Sequence, residues 1–126
     1  MTWPAPSTLL RHRAPAIMLA EIVEHTPETL RCRGPEQAWT WPMLLEGCAQ
    51  TAGLLAGLTA AGLDNHALIA EYRDLTIQQN DYAGAPQFEA RFDRRILGFW
   101  RYTIRACAAD GGALLCGSVT LAAGAH

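Results

Sequence analysis

Residues 42 to 63 read PMLLEGCAQTAGLLAGLTAAGL, and the rest of the predicted fold follows from this stretch. Its pattern predicts one helix of about six turns, at 3.6 residues per turn. Pro42 suits a first helical position, because its missing N–H would be unpaired there anyway. Gly62 lies where the helix is expected to end. Apolar side chains surround the helix on nearly every side, so we expect a buried helix at the centre of a domain.

Glu46 carries the only charge between Pro42 and Gly62. Gln50 lies four residues later and shares its helix face, and Gly53 extends that stripe at a place where a ligand or another backbone can approach closely. A carboxylate withdrawn from water can act as a base or an acid near neutral pH. Glu46 is therefore the candidate catalytic residue. The alternative is that Glu46 only complements the positive end of the helix macrodipole, an effect that fades beyond the first turn.

Length and composition indicate one domain, residues 1–126. The chain is 50% apolar with a net charge of −2, and a chain of this size buries enough surface to fold without disulfides or metals. No basic excess points to nucleic acid, and the charge and glycines in the helix argue against a membrane span. The four cysteines lack metal or redox spacing, and no signal peptide is evident. We therefore expect a cytoplasmic protein without metal or cofactor.

The remaining segments predict antiparallel strands. Apolar and polar residues alternate along most of them, with boundaries at 16–24, 29–34, 67–77, 87–93, 100–108 and 113–122. Segments 35–41 and 80–86 are predicted to be connections. Two strands cannot cover a helix that is apolar on all sides, so the later strands are expected to wrap round it as one sheet. Segment 67–77, in which Leu68, Ala70 and Tyr72 alternate with their neighbours, is expected at a sheet edge.

Trp39 and Trp41 lie in the short connection before the helix. Two tryptophans so close together are unlikely to be fully solvated. They either cover the start of the helix or line a substrate pocket. Covering the core is the commoner outcome, but both interpretations remain open from the sequence.

The order of these elements resembles the hotdog fold, in which a curved antiparallel sheet wraps a central helix. Two segments resemble the 3-hydroxyacyl-carrier-protein dehydratases of fatty acid synthesis. Residues 10–19, LRHRAPAIML, are similar to the family's L-x-H-R-x-P segment, and residues 45–53, LEGCAQTAG, are similar to its helix motif L-E-A-x-A-Q-x-A-G. The resemblance implies an α+β protein with one hotdog domain of about six strands.

One departure from that family concerns its catalytic histidine, which precedes the helix in a loop of the G-H-F-P type. Residues 33–45 of this chain contain no histidine. Glu46 therefore carries over as the acid/base carboxylate, whereas the histidine does not. The resemblance also implies a site built across a subunit interface. We therefore expect a homodimer, or a heterodimer in which another hotdog subunit supplies the missing histidine.

Three functions are compatible with these residues. The first is a dehydratase-like protein for 3-hydroxyacyl thioesters, on carrier protein or CoA, in fatty acid, polyene or related lipid biosynthesis. The second is a thioesterase in which Glu46 activates water, and the third is a non-catalytic acyl-thioester-binding subunit. In each case the resemblance implies an acyl pocket running from the catalytic carboxylate. The predicted substrate-binding residues are Gln50, Trp39, Trp41 and Gly53.

Overall fold

The computed structural model describes residues 18–59 and 68–122. Within these ranges a single long helix is preceded by three strands and followed by five. The elements are β1 (Glu21–His25), β2 (Thr29–Arg33), β3 (Gln37–Thr40), α1 (Trp41–Leu58), β4 (Leu68–Ile77), β5 (Asp81–Gly84), β6 (Gln87–Ile96), β7 (Phe99–Cys107) and β8 (Ala113–Ala122).

Six of the strands form one curved antiparallel sheet, in the order β1-β2-β6-β7-β8-β4. Helix α1 packs against the inner face of this sheet, where it contacts β2, β6, β7 and β8. The helix is almost entirely apolar, and the sheet covers the side chains that water would otherwise contact. The predicted architecture, one sheet of six strands wrapped round a central helix, is confirmed.

The strands that line the helix alternate as the sequence predicts. Along β7 and the first half of β6, every second residue is buried and its neighbours are more exposed. The buried residues of these two strands are apolar or aromatic: Phe88, Ala90, Trp100, Tyr102, Ile104 and Ala106. They form part of the hydrophobic core, together with side chains of α1 and β2.

The helix ends earlier than the sequence predicts. It stops at Leu58, and Thr59 is already extended, with φ −114 and ψ 172. The Thr59 hydroxyl donates to the carbonyl oxygen of Ala56 at 3.4 Å, so the side chain takes up a carbonyl that a further helical N–H would have used. Gly62, the predicted end, lies outside the described residues.

The two predicted connections are wrong, because each contains a strand. Strands β3 and β5 pair antiparallel as a second, two-stranded sheet, with Trp39 opposite Tyr82. The backbone N–H of Trp41 continues this contact by donating to the carbonyl oxygen of Asn80 at 2.9 Å. The partners lie about 40 residues apart in the chain, so a local sequence pattern does not reveal the pairing.

Strand β4 forms one edge of the large sheet, as predicted, but its simple alternation is interrupted. The pairing with β8 shifts between Ile69 and Glu71, so Ile69 lies opposite Leu121 and Tyr72 lies opposite Val119. Directly opposed residues share a face of an antiparallel sheet. Ile69 and Tyr72 therefore point to the inner face, whereas the alternation grouped Tyr72 with Ala70.

Helix and sheet pack closely together at Gly47. A Cβ atom on this residue would lie 2.4 Å from the ring of Phe88 on β6, well inside the normal contact distance. Gly53, almost two turns later on the same helix, has nothing within 4 Å of its Cβ position. The two glycines therefore differ in function, since only Gly47 is required by packing.

This difference predicts opposite effects of the same substitution. Gly47→Ala should lower the free energy of unfolding by about 1–2 kcal/mol, because overpacking against Phe88 outweighs the gain in helix propensity. Gly53→Ala, the matched control, should raise it by about 0.5–1 kcal/mol, because alanine favours the helix and meets no obstacle. Urea denaturation measures both. Equal stability of the two variants would contradict the close packing of Gly47.

Candidate functional site

Glu46 and Gln50 lie together on α1, one turn apart. Gln50 is only 4% exposed, and its amide Nε2 donates to Glu46 Oε1 at 3.2 Å. The backbone N–H of Met18, in the segment before β1, donates to Gln50 Oε1 at 2.8 Å. Met18 is therefore a further residue in contact with this pair, and the sequence pattern did not reveal it.

These two hydrogen bonds fix the orientation of the Gln50 amide. A backbone N–H donates only to the amide oxygen, so Oε1 must face Met18 and the NH₂ group must face Glu46. The amide thus holds one oxygen of the Glu46 carboxylate in place. The second oxygen has no hydrogen-bond partner among residues 18–59 and 68–122. The half-buried carboxylate is therefore oriented and still able to accept a proton from a ligand or from water.

Tyr72 is a third residue of this region, and the sequence analysis did not assign it a role. Burial raises the pKa of Tyr72 to about 12, and the negative charge of Glu46 contributes to the same shift. A tyrosine phenol is protonated at neutral pH even without this shift, so Tyr72 can serve as a hydrogen-bond donor. The sequence feature that could have identified Tyr72 is an aromatic residue with a polar hydroxyl group on a partly buried strand.

The two tryptophans occupy different environments. Trp39, on β3, is 1% exposed, and its indole N–H is shared between the carbonyl oxygens of Pro35 and Gly84, at 3.2 and 3.1 Å. Its ring meets Phe88 edge-on, with 5.6 Å between the ring centroids. Trp39 thus belongs to the core. Trp41, the first residue of α1, is 37% exposed and remains accessible to a ligand or a partner.

Gly53 continues the face of Glu46 and Gln50. It is half-buried, and the space beside its Cα is open for at least 4 Å. Among residues 18–59 and 68–122, no side chain fills this space. The structure therefore leaves room for a ligand or another chain where the sequence predicted a close approach.

Among the described residues no cluster of three His, Cys, Asp or Glu side chains could hold a metal ion. Burial raises the pKa of the Cys48 thiol and keeps it protonated. His25, the one histidine in the described ranges, lies at the end of β1 and lines a cavity near the other end of the helix. His12, His66 and His126 fall outside those ranges.

That cavity measures about 530 Å³, and its helical wall is formed by Leu55 and Leu58. Leu55 lies nine residues after Glu46, about 13 Å along the helix axis at 1.5 Å per residue. Glu46 does not line it. The cavity is therefore distinct from the acyl pocket that was expected to run from the carboxylate.

In the part of the chain that the structure describes, no helix combines the length and the hydropathy needed to cross a membrane.

Comparison with known proteins gives likenesses in structure alone. No family model matches the chain, and no curated protein matches it by sequence. The dehydratase heterocomplex ApeI:P from Xenorhabdus doucetiae has 13% identity and a TM-score of 0.83, over 98% of this chain and 93% of that chain. A thioesterase family protein from Silicibacter pomeroyi has 17% identity and a TM-score of 0.72, over 92% of each chain. Zebrafish thioesterase superfamily member 2 has 11% identity and a TM-score of 0.70, over 82% of this chain and 80% of that chain.

Dehydratase and thioesterase structures thus share the arrangement found here. Identities of this size establish the architecture and not the reaction. Together with the sheet order and the central helix, they show that the chain has a single hotdog fold.

Proposed function

We propose that this protein binds acyl thioesters, on carrier protein or CoA, and transfers a proton with Glu46 as one subunit of a hotdog dimer. The observation that carries the proposal is the hydrogen-bonded series from Met18 through Gln50 to Glu46. It orients one carboxylate oxygen and leaves the other available. A purely structural carboxylate has no need of a buried amide that holds it in one position.

The first candidate reaction is dehydration of a 3-hydroxyacyl thioester. This elimination needs a base for the proton on C2 and an acid for the departing hydroxyl group. Glu46 supplies one of these groups. Tyr72 remains protonated and donates a hydrogen bond to a substrate oxygen. The second acid or base is a histidine of the partner subunit, because the described part of this chain places no histidine near Glu46. The high TM-score with a dehydratase heterocomplex supports this arrangement.

The exposed edge of the sheet supports a dimer. In the described part of the chain β4 pairs only with β8, and it carries three exposed apolar side chains, Ile69, Leu75 and Ile77. The opposite edge, β1, is shorter and carries Glu21 and Glu24, which protect an edge from association. β4 also carries charged residues, Glu71, Arg73 and Asp74, but a ten-residue edge strand with three exposed apolar side chains would favour aggregation if it stayed unpaired. We therefore propose that β4 pairs across a two-fold axis with a partner strand.

The second candidate reaction is hydrolysis of the thioester. A single observation favours it, namely that Glu46 is the only oriented carboxylate found in this region of the described chain. Hydrolysis requires one base to activate water, so Glu46 suffices without a partner's histidine. The thioesterase structures among the likenesses support this alternative. A third candidate, a non-catalytic acyl-thioester-binding subunit, uses the same site without turnover.

One assay separates these candidates. The protein is incubated with crotonyl and 3-hydroxybutyryl thioesters, each on CoA and on carrier protein. Interconversion of the two substrates identifies a dehydratase, release of free thiol identifies a thioesterase, and binding without turnover identifies the non-catalytic subunit. Failure to bind any of these thioesters would refute the proposed function, and binding without turnover would refute the proton transfer by Glu46.

The oligomeric state is directly testable. We expect light scattering at micromolar concentration to give the mass of a dimer or of a multiple of dimers. Ile77→Lys, which places a charge on the apolar edge of β4, should shift the mass toward the monomer. Val23→Lys, an exposed substitution on β1, is the matched control and should leave the mass unchanged. A monomer in the unsubstituted protein would contradict the dimer.

Glu46→Gln tests the proposed role of the carboxylate. Glutamine keeps the shape of the side chain and its contact with Gln50, so the free energy of unfolding should change by no more than about 1 kcal/mol. Turnover of the thioester that the protein uses should fall by at least about 100-fold, the usual contribution of a general acid or base. Glu36→Gln, an exposed carboxylate before β3, is the control for loss of charge. Unchanged turnover in Glu46→Gln would remove Glu46 from the mechanism.

Gly53→Ala tests whether substrate passes beside the helix. The substitution adds one methyl group to an open space and leaves the fold intact, so a change in KM reports directly on that space. We expect a raised KM for acyl thioesters in a protein of equal or greater stability. An unaltered KM would show that substrate does not approach Gly53.

A further inference from the structure

The cavity at the C-terminal end of α1 is not accounted for by the proposed function. It lies between the end of the helix, the β1–β2 turn and the β6–β7 hairpin, and it measures about 530 Å³. Pockets that bind small molecules range from about 300 to 1,000 Å³. The cavity is thus large enough to hold a ligand of its own.

The walls of the cavity are mainly hydrocarbon and aromatic. Leu55 and Leu58 form the helical side, and Phe92 and Trp100 form the sheet side. An apolar wall of this kind favours a chain of methylene groups, since each one buried contributes about 0.8 kcal/mol. A hydrophilic ligand would gain little from it.

Arg95 places a positive charge on the lining of this cavity. Its guanidinium carbon lies 5.0 Å from the centre of the Trp100 ring, and its Nε donates to the carbonyl oxygen of Leu97 at 3.3 Å. These two contacts hold the side chain in place. In the described part of the chain no carboxylate pairs with it, whereas Arg94 and Arg101 on the same hairpin each have an acidic partner. The charge is positioned and uncompensated.

Tyr102 is a further polar residue of the lining, which also includes His25, Thr26 and Thr59. The side chain is 1% exposed, and its hydroxyl group has no hydrogen-bond partner among the residues that the structure describes. Buried polar groups are almost always paired in native proteins. A ligand in the cavity that brought an oxygen atom to this hydroxyl would satisfy it.

We propose that this cavity binds a single-chain anionic amphiphile, that is, an aliphatic chain ending in a carboxylate or a phosphate. The chain packs against Leu55, Leu58 and Phe92. The negative headgroup pairs with Arg95, and the Tyr102 hydroxyl donates to a ligand oxygen. The site is separate from Glu46 and does not depend on the proposed thioester chemistry.

The experiment measures binding of three ligands with the same ten-carbon chain by calorimetry. Decanoate and decyl phosphate carry the two possible anionic headgroups, and decanol is the neutral reference. We expect both anions to bind with one molecule per chain and more tightly than decanol. Tighter binding of decanoate would identify the ligand as a fatty acid, and tighter binding of decyl phosphate would identify it as a phosphate ester.

Three variants locate the site. Arg95→Gln should weaken decanoate about three- to fivefold, the contribution of one exposed ion pair, and leave decanol unchanged. Tyr102→Phe should weaken both ligands, because both contain an oxygen atom. Leu58→Trp fills the cavity and should weaken both by at least about tenfold, provided that thermal unfolding shows a folded protein. Arg91→Gln, an exposed arginine of β6 outside the cavity, is the matched control and should behave as the unsubstituted protein.

Glu46→Gln separates this inference from the proposed function. It should bind decanoate as tightly as the unsubstituted protein even where its thioester turnover is lost. Absence of decanoate and decyl phosphate binding, or equal affinity for decanol and decanoate, would overturn the proposal. Loss of decanoate binding in Glu46→Gln would likewise overturn it, since the ligand would then occupy the thioester site.

Discussion

The structure depends on the contact between Gly47 and the ring of Phe88, which sets how closely the helix approaches the sheet. Phe88 fills the space that a side chain at position 47 would need, and Trp39 packs edge-on against the same ring from the smaller sheet. One aromatic ring thus joins α1, β6 and β3. With the helix held at this distance, Gln50 on the next turn accepts a hydrogen bond from Met18. The orientation of Glu46 is therefore a consequence of the packing of the core.

The sequence predicted the fold to the extent that the fold is encoded locally. The helix begins within one residue of Pro42, and the alternation along β6 and β7 identifies the core, because each depends on the period of a single element. The prediction was wrong where an element depends on a distant partner. Strand β3 exists because it pairs with β5. The helix ends at Leu58 because the Thr59 hydroxyl donates to the carbonyl oxygen of Ala56 and the Thr59 backbone adopts an extended conformation. Neither effect is visible in a local pattern.

The candidate site divides in the same way. Glu46 and Gln50 contact each other because residues four apart share a helix face, so this pair was predictable. The position of Tyr72 was not predictable, because it depends on the bulge in β4 that shifts the register of the β4–β8 pairing. The tryptophans were ambiguous for a physical reason, because a large ring with one polar atom suits a core and a pocket equally well. Only the position of β5, which supplies the Gly84 carbonyl to the Trp39 indole, places Trp39 in the core.

The two ends of the helix are equally apolar in sequence and differ in what surrounds them. Near its start, packing leaves one carboxylate oriented by an amide with one oxygen unused. Near its end, the helix and sheet separate into a cavity lined by Tyr102 and Arg95. Within the described residues the Tyr102 hydroxyl has no hydrogen-bond partner and the Arg95 guanidinium has no acidic partner. A buried polar group without a partner costs about 1–3 kcal/mol, a large share of the stability of a domain. A group that reduces stability in the free protein and has a suitable ligand chemistry is better explained by binding than by folding. On this argument the two sites that we propose lie near opposite ends of the helix and differ in charge, with the carboxylate of Glu46 near the start and the guanidinium of Arg95 near the end.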